Sequence, residues 1–142
     1  MTLTTIRWGL AAVATVLAQF TLIALSIACV AVYSYGIRTG ETPEFYSSFA
    51  EASAPWVSLI AGGPVFFLIA RSIRHRARSA AGGTAMALCG LYLIIEIAVL
   101  LTWPGDSSAV LPFTLGGMVL KVAGAWRGAG GIAAREPANT AV

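Results

Sequence analysis

Long apolar runs, separated only by short polar or basic turns, constrain this sequence more than any other feature. The first run covers residues 8–35, and three more lie at about 55–73, 84–103 and 109–126. A helix of about 17–25 apolar residues crosses the hydrocarbon core of a bilayer, and each run reaches that length. The pattern therefore predicts an all-α integral membrane protein, built as a bundle of four transmembrane helices.

The composition agrees with this class of protein and argues against others. Of the 142 residues, 58% are hydrophobic and only 11% are charged, which is far from the balance of a soluble domain. We expect one transmembrane domain over residues 1–127 and a flexible cytoplasmic tail over 128–142. Nucleic-acid binding is not expected, because four of the nine basic residues lie in one short turn between apolar runs.

The arginines predict the orientation of the bundle. With the N-terminus in the cytoplasm, seven arginines face the cytoplasm and only Arg38 faces outward, in agreement with the positive-inside rule. The seven are Arg7, Arg71, Arg74, Arg76, Arg78, Arg127 and Arg135. We therefore expect a multi-pass protein of the cell (inner or plasma) membrane with both termini inside.

The arginine turn between the second and third runs has a second interpretation. Clusters of basic residues beside a membrane helix attract anionic lipid, with about 1 kcal/mol for each residue. The candidates are Arg71, Arg74, Arg76 and Arg78. Their effect on topology would explain them equally well, so the sequence leaves this partner open.

A helix-start signal lies between the first two apolar runs. Thr42 offers an N-cap hydroxyl, Pro43 fits the first helical position and Glu44 places a carboxylate in the first turn. Phe45 and Phe49 then repeat on one side of the helix. This pattern predicts a short amphipathic helix on the membrane surface between helices 1 and 2. The alternative is a loop that carries interfacial aromatic residues.

The second predicted span contains Gly62, Gly63 and Pro64 near its middle. Proline lacks the backbone N–H and crowds the preceding turn, so this segment predicts a kink or break in the helix. Interrupted membrane helices can bind ions or substrates through their free backbone groups. Kinks more often serve packing, and the sequence does not decide between the two.

Glu96 and Lys121 are the ionisable residues inside the predicted third and fourth spans. A charge at the bilayer centre costs at least about 2.5–3.5 kcal/mol, so each residue needs a partner or a function. Side chains tilt toward the N-terminus of their helix, and in antiparallel helices these two would lean toward each other. We expect an ion pair, with Gln19 as a further partner. Glycines on the face of Lys121 indicate close packing against another helix.

The sequence contains no phosphate-binding loop, no metal-ligand cluster and no nucleophile–base pair, so neither a cofactor nor catalysis is expected. Cys29 and Cys89 are predicted to be small apolar side chains at different depths, and not a disulfide. We therefore predict a small non-enzymatic protein that acts through helix–helix association, as an accessory or self-associating subunit. The alternative is a small homo-oligomeric transporter or channel that uses Glu96 as its proton or cation site.

Overall fold

The computed structural model describes residues 6–102 and 107–131. Within these residues the chain forms four long helices: α1 (Trp8–Val32), α2 (Pro43–Arg76), α3 (Ala81–Thr102) and α4 (Ser107–Gly128). A π-helical turn continues α1, and a 3-10 turn joins α2 to α3. The described part of the chain contains no strand, so the predicted all-α architecture is confirmed there. The predicted tail lies outside the described residues from position 132 onward.

Three helical stretches are long and apolar enough to cross a membrane: Trp8–Ile37, Pro43–Arg76 and Arg78–Thr102. Many of their large apolar side chains point away from the bundle, and Phe20 and Ile94 are 67% and 64% exposed. Water-soluble proteins rarely expose a continuous apolar surface of this kind. The fourth helix, α4, is not among these stretches, and it carries Lys121 and several glycines within its apolar sequence.

α2 is one continuous helix of 34 residues, which corrects the prediction of a short surface helix followed by a separate span at 55–73. The helix begins as predicted, since the Thr42 side chain accepts a hydrogen bond from the Phe45 N–H and Pro43 follows the N-cap. It does not end before Pro55, because one proline removes a single backbone donor and neighbouring contacts hold the segment. In particular, Phe49 stacks on Tyr33 with ring centroids 3.8 Å apart.

Gly62, Gly63 and Pro64 are all α-helical within α2, so the helix continues through this segment, and the predicted kink stays a prediction. The glycines instead lie at the contact with α4, which packs more extensively against α2 than against α3. A Cβ atom on Gly124 would collide with the carbonyl oxygen of Gly63, and one on Gly128 would collide with that of Phe67. The glycine face of α4 thus lets two helix backbones touch, and its partner is α2.

α1 and α3 complete the bundle and bury a face of mostly small residues. On α1 the buried positions recur every three or four residues, from Ala11 to Leu22, which is the spacing of one helix face. Phe66 of α2 is fully buried at the centre and meets the ring of Tyr92 edge-on, with centroids 4.9 Å apart. Both cysteines are free thiols, and Cys89 is buried.

Candidate functional site

Lys121 is fully buried between three helices, and all of its polar contacts in the described structure come from α2 and α3. Its ammonium pairs with the Glu96 carboxylate and donates a hydrogen bond to Ser58 Oγ at 3.0 Å. It also lies 4.7 Å from the centre of the Tyr92 ring, within the range of a cation–π interaction. The structure therefore brings together the two ionisable residues that the sequence analysis singled out.

Gly62 makes room for the stem of this lysine. A Cβ atom at position 62 would lie 2.8 Å from Cε and 3.0 Å from Cγ of Lys121, closer than van der Waals contact allows. Gly62 therefore serves as a slot for a side chain of α4, and not as an interruption of α2. Ser58 lies one turn earlier on the same face of α2. Its hydroxyl oxygen can therefore accept a hydrogen bond from the ammonium of the lysine that packs over Gly62.

Ser58 and Tyr92 contact Lys121, and the sequence reasoning missed both residues. A weak signal existed for Tyr92, because it precedes Glu96 by one helical turn and must share its face. No comparable signal existed for Ser58, since its role depends on which helix packs against α4. Gln19, the predicted further partner, makes no hydrogen bond to the pair among the described residues. It lies instead on the wall of an adjacent cavity.

That cavity has a volume of about 400 Å³ and lies in the half of the bundle where α2 begins. All four helices contribute to its mostly apolar wall, for example through Leu22, Ala54, Val99 and Thr114. Ser58, Tyr92 and Glu96 contribute polar groups to the same wall. The volume falls within the range of small-molecule sites in proteins, about 300–1,000 Å³.

The Glu96 carboxylate is only partly satisfied. One oxygen pairs with Lys121, whereas Oε2 is buried and has no hydrogen-bond partner among the described residues. The side chain as a whole is 15% exposed and contributes to the cavity wall. A buried acceptor without a partner is costly, and this oxygen is the atom of the carboxylate that Lys121 leaves without a donor.

A second polar cluster lies at the opposite end of the bundle. Three of the four predicted turn arginines, Arg71, Arg74 and Arg78, line one cleft with His75 and with Arg127 of α4. Arg76 does not line the cleft; its backbone carbonyl accepts a hydrogen bond from the Arg7 guanidinium at 3.2 Å. The structure thus removes one residue from the predicted basic cluster and adds two.

Within the described residues, no group of three or more His, Cys, Asp or Glu side chains is placed to hold a metal ion. In comparisons with known proteins, no family model, no curated protein and no solved structure matched the chain.

Proposed function

We propose that the chain is a multi-pass protein of the cell (inner or plasma) membrane in which all four helices cross the bilayer and both termini lie in the cytoplasm. Three helical stretches are apolar and long enough to do so. The backbone contact between α2 and α4 supports a crossing by α4, because a helix packed closely along a spanning helix shares its depth. The arginines of α1, α2 and α4 gather at one end of the bundle, which supports the orientation.

Within the membrane we propose a non-enzymatic role that depends on association with another membrane helix, either in a second copy or in a larger complex. The observation that carries this proposal is a small-residue face of α3 that the bundle leaves uncovered. A Cβ atom on Gly82 or Gly90 would meet nothing within 4 Å, and Met86 between them is 43% exposed. Glycine destabilises a helix by about 1 kcal/mol relative to alanine, whereas it favours close helix approach in membranes.

An apolar groove continues this surface toward α4. The groove has a volume of about 480 Å³ and is lined by Met86 of α3 and by Met118, Val122 and Trp126 of α4, among others. Methionine side chains adapt readily to the shape of a partner. Gly82, Met86 and Gly90 together with this groove form what we term the α3–α4 face, and a transmembrane helix is the occupant that matches its length and apolarity.

Site-directed cross-linking in native membranes tests the association. Both native cysteines are first replaced by alanine, and Gly90→Cys is then compared with Val16→Cys. Both positions lie about 12–14 Å into their helices from the basic end, and Val16 is 53% exposed on α1. We expect a bifunctional maleimide to cross-link the Gly90 variant into a homodimer or to a second membrane protein. Absence of cross-linking at Gly90, or equal cross-linking at Val16, would contradict the proposal.

The transport alternative is supported by a different observation, the unpaired Glu96 oxygen beside the cavity. A homo-oligomer that moves protons or cations should produce a flux in proteoliposomes, and replacing Glu96 should abolish it. The Glu96→Gln/Lys121→Met double variant is the better test, because it leaves no unpaired charge in the bundle. A flux that persists in the folded double variant would exclude Glu96 as the coupling group.

A further inference from the structure

The basic cleft collects more positive charge than any other described part of the molecule. Arg71, Arg74 and His75 come from the last turns of α2, Arg78 from the 3-10 turn and Arg127 from the last turn of α4. The cleft has a volume of about 600 Å³. Four arginines from three elements therefore line one space that is large enough for a ligand.

None of these arginines has an acidic partner in the described structure. The ion pairs formed by the described residues are Arg38–Glu41 and Lys121–Glu96, both outside the cleft. Like charges in one cleft repel each other, and the repulsion grows as water is excluded. Helix dipoles favour cations at the ends of α2 and α4, but they would favour them equally if the side chains diverged. Their common place on one cleft would be stabilised by an anion bound there.

Two glycines after Trp126 hold the cleft in shape. Gly128 lets α4 press against the backbone of α2, where any side chain would collide with the Phe67 carbonyl, and this contact carries Arg127 toward the arginines of α2. Gly130 has a positive φ of 109°, and a Cβ atom there would lie 3.2 Å from the Arg74 guanidinium carbon. A side chain at position 128 would move α4, and with it Arg127, away from α2, and a side chain at position 130 would displace Arg74.

We propose that this cleft binds a phosphate group. Guanidinium groups match the geometry of phosphate and form paired, charge-assisted hydrogen bonds with it. The phosphate can belong to the headgroup of an anionic phospholipid or to a soluble phosphate compound. The lipid alternative rests on the proposed membrane insertion, whereas the soluble alternative does not. In either case Arg71, Arg74, Arg78 and Arg127 bind it, and Arg76 takes no part.

Arg76 provides a matched control, because it lies at the end of the same helix and carries the same charge but does not line the cleft. Native mass spectrometry of the detergent-solubilised protein, titrated with phosphatidic acid, measures lipid binding directly. We expect Arg127→Gln and Arg74→Gln each to weaken binding of one lipid by about 10-fold or more, as the loss of a charged hydrogen bond predicts. Arg76→Gln should change binding by less than about 3-fold. Arg127→Lys retains the charge and should show an intermediate effect.

A second arm identifies the source of the phosphate. Glycerol phosphate and inorganic phosphate are titrated against the lipid-loaded protein, with phosphatidylcholine as the neutral lipid. Displacement of phosphatidic acid by either soluble compound supports a soluble ligand, whereas resistance to both supports a lipid. Equal weakening by Arg76→Gln and Arg127→Gln would overturn the proposal, because general charge and not the cleft would then be responsible. The proposal would also be overturned if the wild-type protein bound none of the three compounds: phosphatidic acid, glycerol phosphate and inorganic phosphate. This outcome does not depend on whether the chain associates through α3.

Discussion

Replacing Glu96 and Lys121, alone and together, should show that the two residues stabilise the fold as a unit. The relevant variants are Glu96→Gln, Lys121→Met and the double replacement. Removing one partner of a buried ion pair typically costs about 3–5 kcal/mol, because the other charge loses its compensation. Removing both leaves no buried charge, so the double variant should lie within about 1–2 kcal/mol of the wild-type protein. The expected coupling energy is therefore at least about 4 kcal/mol.

The surroundings of the two residues predict that the single variants are unequal. Lys121 is fully buried, so Glu96→Gln leaves an ammonium with no negative partner, only the new amide oxygen, the Ser58 hydroxyl and the Tyr92 ring. Lys121→Met leaves a carboxylate that is 15% exposed and contributes to the wall of a cavity, where it can be hydrated. Glu96→Gln should therefore be the more destabilising of the two replacements.

Reversible unfolding of the detergent-solubilised protein, followed by circular dichroism over a denaturant series, measures all four free energies. The Ser72→Ala variant is a suitable control, since that hydroxyl is exposed and bonds only to its own helix. Single effects that add up in the double variant would refute the reasoning, because they would place the two charges in independent environments. A larger loss for Lys121→Met than for Glu96→Gln would refute the proposed order.

Two further predictions follow from the helix contacts and from the arginine distribution. Gly124→Ala should destabilise the protein more than Gly62→Ala in the same unfolding assay, because its methyl group meets backbone, whereas the one at 62 meets a flexible lysine. Overpacking of this kind costs about 1–3 kcal/mol. Gly90→Ala, in contrast, should be neutral or stabilising by up to about 1 kcal/mol, because a methyl group at position 90 meets no neighbouring atom. In a cysteine-free background, Ser48→Cys should react with an impermeant maleimide on intact cells and Arg76→Cys only after the membrane is opened. The reverse pattern would invert the proposed topology.

Apolar run length and charge were sufficient to predict the helices and the ion pair. Each run is longer than a typical β-strand of a globular protein, which favoured a helix. Thr42 and Pro43 correctly located the start of α2. The pairing of Glu96 with Lys121 followed from the cost of isolated charges in apolar helices. These predictions depend on local composition and on energies that apply wherever the helices pack.

The partner of each helix could not be predicted in the same way. An apolar or glycine-lined face shows that a helix packs closely, but not which neighbour it meets, so the contact of Gly124 with Gly63 was not foreseen. Pro55 and Pro64 suggested ends or breaks, because a proline weakens a helix locally. Whether the helix continues depends on contacts such as the stacking of Phe49 on Tyr33, which come from a distant part of the chain. The cavity depends on all four helices together.

The backbone contact between α2 and α4 has a mechanical consequence. Where side chains separate two helices, rotamer changes allow the helices to slide; where Gly63 and Gly124 touch, no side chain can yield. Lys121, seated in the slot at Gly62, further blocks translation of one helix along the other. α2 and α4 therefore behave as one rigid body, and any opening of the cavity must come from movement of α1 or α3 against it.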